Sequence, residues 1–178
     1  MALDPFVSWT FKPASEDTAD PEAVIEATEW AIGVVDAGTT SATTVFLIWN
    51  NWKESTEVRK TMEDCKIGTR TKLGSETGEG EEVVKNQWVE VRSQSSGDTP
   101  ETPFSPLGYS EVASQFVEKD IKGHGMSDFE IAGVLNDGSY ADGFAKGNFA
   151  EVELQASPPI DASSGPKEFY TRVFYIFV

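Results

Sequence analysis

The sequence has little of the chemistry from which many active sites are built. One cysteine, Cys65, and one histidine, His124, occur in the 178 residues. A single cysteine cannot form an intramolecular disulfide, so stability must come from the core, which fits a reducing compartment or a particle assembled inside a cell. A zinc site needs several His or Cys ligands, and one residue of each type cannot provide it.

Basic residues are also scarce, because 14 Lys and Arg stand against 30 Asp and Glu and give a formal net charge of −16. Such a charge repels nucleic-acid phosphates and anionic membrane surfaces, so we expect neither as a partner. A solvated acidic surface is the simplest explanation of the excess. Attraction of a basic partner or of cations is the alternative explanation.

Long apolar runs and nucleotide-binding motifs are missing as well. No run of residues approaches the roughly 20 apolar positions that span a bilayer. The first residues have neither the basic nor the apolar region of a signal peptide, so we expect none. No glycine-rich dinucleotide motif follows a predicted strand, and there is no P-loop lysine motif. We therefore expect no cofactor and no enzymatic activity.

Two segments could form a functional site, but each has a simpler interpretation. His124 lies between Gly123 and Gly125, and we interpret it as an exposed loop residue rather than as part of a Ser-His-Asp triad. Residues 136–143 offer oxygen ligands for a hard cation such as calcium, but they lack the spacing and the terminal glutamate of an EF-hand. We interpret that segment as a pair of Asp-Gly turns.

What the sequence does contain is a series of short β-prone runs. Val, Thr, Phe, Trp and Tyr cluster in runs separated by Gly, Pro, Ser and Asp. This pattern predicts an all-β protein, a single antiparallel β-sandwich of Ig-like or jelly-roll-like type with about seven or eight strands and long loops. The main predicted strands are residues 27–35, 43–49, 65–71, 83–93, 129–135, 150–156 and 169–178.

Several of these strands carry more detailed predictions. Residues 43–49 form a continuous apolar run, typical of a buried central strand. Residues 65–71 and 83–93 are expected to pair as a hairpin, with Cys65 facing the core. Residues 94–108 are rich in proline and predict a long loop. Residues 140–146 are interpreted as a link containing glycine.

The N-terminal part is set apart by composition. Residues 6–11 form a short β-prone run, and an acidic stretch follows that predicts a linker. We expect residues 1–26 to be an N-terminal strand or arm plus this linker, and residues 27–178 to be the sandwich domain. Phe6, Trp9 and Phe11 are candidate assembly contacts, whether the run is an arm on a neighbouring subunit or a strand of the same sandwich.

The last thirty residues predict two strands joined by a turn. Apolar and polar side chains alternate over residues 150–156, as in a half-buried strand. Residues 169–178 are largely apolar on both faces. That strand should therefore pair with residues 43–49 across the core or bury its second face against another subunit. Tyr175 and Phe177 are its candidate contact residues.

Three stretches, residues 45–51 (VFLIWNN), 87–91 (QWVEV) and 147–154 (GNFAEVEL), together with the turn at residues 136–138 and the aromatic last strand, resemble small structural proteins from tail and baseplate regions of bacteriophages and prophages of Gram-positive bacteria. The resemblance covers most of residues 27–178. It implies an Ig-like virion building block without enzymatic activity, assembled in the host cytoplasm with other virion proteins and with copies of itself. Its position, whether tail, baseplate, fibre or capsid decoration, stays open.

Carbohydrate binding in host recognition is the alternative function. Sugar-binding sandwiches stack sugars on exposed aromatic rings, and Trp49, Trp52 and Trp88 are candidates. Trp88 is the best of these because it shares the polar face of its predicted strand with Glu90 and Arg92. The competing interpretation, which we favour, is that Trp88 packs beneath a loop or a neighbouring subunit.

Overall fold

The predicted antiparallel β-sandwich is confirmed. The computed structural model describes residues 2–15 and 19–178. Ten strands and two short helices follow one another, with the bounds β1 Val7–Phe11, β2 Ile25–Glu26, β3 Thr44–Asn50, β4 Glu63–Arg70, α1 Glu81–Lys85, β5 Val89–Arg92, β6 Ser105–Ser110, β7 Gln115–Val117, β8 Lys119–Asp120, α2 Tyr140–Lys146, β9 Phe149–Ala156 and β10 Tyr170–Ile176. Single 3-10 turns occupy Pro21–Ala23 and Gln94–Ser96.

The larger sheet has seven strands in the order β2-β1-β3-β9-β5-β6-β7, and the smaller has three in the order β10-β4-β8. All the strand pairs are antiparallel. The apolar run predicted at residues 43–49 is the central strand β3, which pairs with β1 and β9. The longer of the two helices in the described part has seven residues, so no helix there could cross a membrane.

The N-terminal run belongs to the sandwich. All five residues of β1 pair with β3, so residues 7–11 form a strand within the same sandwich, the second of the two alternatives. Part of the predicted acidic linker, residues 16–18, lies outside the described residues. Just after it, the side chain of Asp20 accepts a hydrogen bond from the backbone of Glu22 at the start of the first 3-10 turn.

Both predicted hairpins were wrong. β4 lies in the small sheet and β5 in the large one, and the same separation divides β10 from β9. The reason is that β9 is already paired on both sides, with β3 and β5, which leaves no edge for β10. β10 therefore pairs with β4, not with residues 43–49.

Four local predictions also need correction. Residues 27–35 form no strand, and residues 129–135 contribute an isolated bridge between Ile131 and Met62. Residues 140–146 form helix α2 instead of a link. The loop predicted at residues 94–108 ends early, because β6 begins at Ser105.

Two apolar layers result from this arrangement. One lies between the sheets, where Cys65 is fully buried as predicted, together with Phe46, Val152 and Leu154. The other lies on the outer face of the large sheet beneath α2, and its members are Val24, Leu47, Trp49, Tyr140 and Phe149, with Trp52 packed against them. The outer face of β9 is consequently buried too, which the alternating pattern did not predict.

Candidate functional site

The edges of the two sheets differ sharply in length. In the described part, β2 and β8 have two residues each and β7 has three, whereas β10 has seven. Very short edge strands protect a sheet from pairing with other chains, and long apolar edges invite it. β10 contains one charged residue, Arg172, and no proline. A register shift between Phe174 and Ile176 partly protects its second half.

A cleft opens beside the first half of β10. We call it the edge cleft, and its volume is about 490 Å³. Its sides come from residues 27–30 and from the chain entering β10, and its floor comes from the inner face of the large sheet. Its lining residues are Trp9, Ala27, Thr28, Glu29, Trp30, Phe46, Leu154, Lys167, Glu168, Phe169, Tyr170 and Thr171.

Aromatic rings fix the shape of the edge cleft. Trp9 packs edge-on against Phe46 with ring centroids 5.9 Å apart. Trp30 makes two more edge-on contacts, at 6.1 Å, with Phe46 and Phe169. Its indole nitrogen donates to Thr44 Oγ1 at 3.1 Å. These contacts build a rigid apolar surface that the small sheet leaves partly uncovered.

A second cleft, the loop cleft, adjoins the first and shares Trp30 and Phe169 with it. Its volume is about 740 Å³, and two irregular segments, residues 29–37 and 162–167, form its walls. Trp88 contributes to its lining although only 8% of that residue is exposed. The indole nitrogen of Trp88 is buried and has no hydrogen-bond partner within the described residues.

A polar network holds one wall of the loop cleft in place. Lys167 Nζ lies 2.7 Å from Glu82 Oε2 and 2.6 Å from Ser163 Oγ. The backbone nitrogen of Ser163 donates to Glu82 Oε1 at 2.7 Å, and its hydroxyl also donates to this carboxylate. The hydrogen bonds from Lys167 and then Ser163 lower the pKa of Glu82 from 4.5 to about 2.

We expect acid to loosen this wall. Because the pKa of Glu82 is lower in the folded protein, its stabilising contribution is complete above pH 4.5 and is lost as the pH falls from 4.5 towards 2. Amide exchange of residues 162–167 should therefore rise relative to β9 across that window, and Glu82→Gln should produce the faster exchange already at pH 7. Glu26→Gln, which changes an exposed side chain, is the control. Identical exchange in wild type and Glu82→Gln at pH 7 would contradict the expectation.

The candidate aromatic residues are distributed over several places. Trp88 lies beneath the loop at residues 162–167, with Lys167 Nζ 5.8 Å from its ring centre, in agreement with the interpretation that we favour. Trp9 and Phe11 pack against the core between the sheets, as does Tyr175. Trp52 is partly buried: its ring packs near Trp49 at 6.4 Å, Lys53 Nζ lies 4.8 Å from its centre, and its indole donates to the Gly138 carbonyl at 3.1 Å. Its ring is therefore poorly placed to stack against a sugar.

Phe6 and Phe177 remain exposed, at 57% and 41%. Backbone hydrogen bonds join Leu3 to residues 58 and 60, so the N-terminal residues lie beside residues 58–60. Arg59 lies over the Phe6 ring at 5.9 Å, and Lys60 Nζ lies over Phe177 at 5.0 Å. We call this surface the terminal patch; it comprises the exposed apolar residues Leu3, Phe6, Val58, Ile176, Phe177 and Val178. It continues from the end of β10.

The structure reveals a buried polar cluster that the sequence did not predict. Glu151 of β9 has a side chain only 2% exposed, and it accepts from Lys12 Nζ at 2.6 Å and from the Tyr140 hydroxyl at 3.0 Å. His124 Nε2 lies 3.6 Å from the same carboxylate. The interpretation of His124 as an exposed loop residue was wrong, because 17% of its side chain is exposed and its ring packs on Phe144 at 4.1 Å.

Neither Cys65 nor the acidic loop offers reactive chemistry in this geometry. Burial raises the pKa of the Cys65 thiol to about 12, and a protonated thiol is a poor nucleophile. Asp137 Oδ1 accepts from the backbone of Ser139, and Asp142 binds Lys146 at 2.9 Å. Over residues 2–15 and 19–178, no group of three or more His, Cys, Asp or Glu side chains is arranged to hold a metal ion.

Comparison with known proteins assigns no function to the chain, so the assignment rests on the geometry described above. No family model, curated protein or solved structure matches the chain. The free edge of β10, with the edge cleft at its start and the terminal patch at its end, is the candidate functional site.

Proposed function

We propose that the protein is a non-enzymatic structural component of a bacteriophage virion, in the tail, baseplate, fibre or capsid decoration. It acts through protein–protein contacts with copies of itself and with other virion proteins. The observation that carries this proposal is the long unpaired edge of β10. That edge joins exposed apolar surface at both of its ends, while the other described edges are only two or three residues long.

The energetics of an exposed edge support an assembly role. A free edge offers backbone donors and acceptors in register for another strand, and the adjacent apolar groups add hydrophobic stabilisation. Ile176 is 55% exposed and Phe177 41% exposed, and Arg172 is the charge on the strand. The resemblance to phage structural proteins points in the same direction.

We expect Ile176→Lys to lower incorporation of the protein into purified virus particles at least tenfold. A charge on an edge strand opposes strand addition and lies within the terminal patch. Because Ile176 is largely exposed, the isolated chain should keep its stability. The measurement is quantitative immunoblotting of gradient-purified particles, with light scattering to determine the mass of the free protein.

Val112→Lys is the matched control, because Val112 is fully exposed at 101% and lies outside the strands. It adds the same charge and should leave incorporation unchanged. A wild-type chain that is monomeric at 19.4 kDa and absent from every particle preparation would refute the proposed function.

Carbohydrate binding is the second candidate, and the loop cleft is the observation that favours it. Trp30, Trp88 and Phe169 line this cleft beside serines and acids. The indole N–H of Trp88 is buried and has no acceptor among the described residues, and a sugar hydroxyl in the cleft would supply one. If host glycans bind there, Trp88→Phe should weaken glycan-array binding while it preserves the packing. Absence of binding to host cell-wall sugars would eliminate this candidate.

A further inference from the structure

The edge cleft separates two stretches of backbone that keep unpaired donors and acceptors within the described structure. Residues 27–35 are β-prone in sequence, yet they have no strand partner. They are anchored where the Ala27 nitrogen donates to the Trp9 carbonyl at 2.8 Å and where the Trp30 indole donates to Thr44. From residue 28 to residue 35, no backbone–backbone hydrogen bond is formed with another described residue.

The start of β10 borders the same cleft from the opposite side. Its one strand neighbour is β4, so its other edge is unpaired in the described structure. Residues 27–30 and residues 168–171 both line the edge cleft. Residues 28–30 and the outer edge of β10, which have no backbone partner among the described residues, therefore flank an apolar floor. This is the arrangement left when one strand is missing from a sheet.

We propose that the edge cleft receives an extended strand from another virion protein, inserted between residues 27–30 and β10. This inference rests on the proposed assembly function and specifies its mode and its partner. The inserted strand would extend the small sheet beyond β10 by strand addition. Its alternate side chains would point towards Trp9, Phe46 and Leu154.

The size of the cleft suits such an occupant. A cavity of about 150 Å³ holds one benzene molecule, so the edge cleft has room for roughly three groups of that size. In a strand, side chains on one face recur every second residue. Three inward side chains therefore correspond to a segment of about five residues, similar to the length of the stretch 167–171, which leads into β10 and lines the cleft.

The negative charge at the cleft indicates that the outward-facing side chains of the inserted strand are basic. Glu29 and Glu168 lie at the cleft. Glu168 pairs with Lys72 at 3.7 Å, whereas Glu29 is exposed without an ion pair in the described structure. Lys167, the lysine among the lining residues, is already bound to Glu82. The chain as a whole carries −16, so a second copy would meet repulsion where a basic segment meets attraction. We therefore assign the site to a partner strand with alternating apolar and basic residues.

The test uses synthetic peptides of defined chemistry. The probe is an eight-residue peptide that alternates valine and lysine, capped at both ends. A block peptide of four valines and four lysines has the same composition and charge but no alternation, and a valine–glutamate peptide has the opposite charge. Binding is followed by tryptophan fluorescence, and hydrogen exchange locates the contact. We expect at least tenfold slower exchange of amides at the start of β10 with the alternating lysine peptide and not with the other two.

Thr28→Arg supplies the variant. Thr28 is exposed and lines the cleft, so an arginine there should repel the basic strand and weaken its binding at least tenfold without unfolding the protein. Val112→Arg adds the same charge elsewhere and should bind like wild type. Equal binding of the block peptide, or unchanged binding by Thr28→Arg, would overturn the proposal. Protection of β10 by self-association or by a glycan would overturn it as well.

The two proposals fail in different ways. If the chain is present in particles but the alternating peptide does not protect β10, the strand-insertion mode is wrong and the virion role stands. If the chain is absent from all particles, the virion role is wrong whatever the peptide does.

Discussion

Replacing Glu151 with glutamine is expected to lower the free energy of unfolding by about 3 kcal/mol at pH 7, the lower end of the cost of breaking a buried ion pair. Lys12 Nζ and the Tyr140 hydroxyl both donate to this carboxylate, at 2.6 and 3.0 Å. An amide cannot neutralise the lysine, and its NH₂ group would confront these donors. The lower end applies because Lys12 keeps 17% of its side chain exposed and stays partly solvated.

The effect should disappear in acid. Burial acts to raise the pKa of Glu151, but the contacts with His124, Lys12 and Tyr140 outweigh burial and lower the pKa below 4.5. A carboxyl group with a lowered folded-state pKa stabilises the protein fully above its unfolded-state pKa. That stabilisation is lost as the pH falls below 4.5 through the folded-state value. Wild type and Glu151→Gln should therefore converge in stability as the pH falls below that window.

Urea unfolding followed by circular dichroism at several pH values measures this difference. For a chain of this size, about 3 kcal/mol corresponds to a fall of roughly 6–12 °C in Tm. Glu26→Gln makes the same chemical change at an exposed site and should stay within about 0.5 kcal/mol of wild type. A Glu151→Gln protein as stable as wild type at pH 7 would show that the cluster contributes nothing to the fold.

This cluster also shows where prediction from sequence stopped. The alternation in β9 correctly assigned Ala150, Val152 and Leu154 to the core. The same pattern assigns Glu151 and Glu153 to solvent, whereas both are buried. Lys12 is 139 residues from Glu151, and Arg92 is 61 residues from Glu153. The cations that make burial of these acids tolerable come from distant parts of the chain, Lys12 just after β1 and Arg92 in β5, and no local pattern identifies them.

Sheet membership was unpredictable for a similar reason. Local β-propensity identified β3, β4, β9 and β10, but pairing depends on which edges are already occupied. Residues 27–35 have strand propensity but pair with no strand in the described structure, so they remain irregular. The candidate site arises from the same circumstance, because the edge cleft lies between this segment and β10. Trp30, which shapes the cleft, was consequently not among the predicted contact residues.

Helix α2, by contrast, carried signals in the sequence. The Ser139 hydroxyl accepts from the backbone of Asp142 at the helix start, and Gly147 ends the helix in the left-handed conformation with φ of 71°. A serine followed three residues later by an acid, and a glycine after the last turn, are typical helix boundaries. The glycine at 143, which is unfavourable inside a helix, is the reason that the sequence favours a link over residues 140–146.

The contact between α2 and the large sheet should also contribute strongly to stability. We expect Trp49→Ala to lower the free energy of unfolding by about 3–5 kcal/mol. Trp49 is fully buried, and its ring lies 4.6 Å from that of Phe149. Its indole donates to Thr10 Oγ1 at 2.9 Å. Truncation would therefore open a large cavity and leave a buried hydroxyl without its donor, which places the cost towards the upper end.

Gly143 provides the internal check on this prediction. A Cβ atom at this position would lie 2.2 Å from Trp49 Cζ3, closer than any packed side chain tolerates. Helix propensity alone favours Gly143→Ala by about 1 kcal/mol, yet we expect it to destabilise the wild type by about 1–3 kcal/mol because of this overlap. In the Trp49→Ala background the overlap with the indole is gone, and the 3.0 Å contact with Phe149 Cδ1 can relax into the space that the indole leaves. The same substitution should therefore stabilise.

Urea unfolding of the four proteins of this double-mutant cycle measures the reversal of sign. Ala145→Gly, on an exposed position of the same helix, should cost about 1 kcal/mol in both backgrounds. If Gly143→Ala stabilised the wild type, α2 would have to lie farther from Trp49. The space between α2 and the large sheet would then be larger, and Glu151 and Tyr140 would be less tightly packed. The loss of stability expected for Glu151→Gln would consequently be smaller.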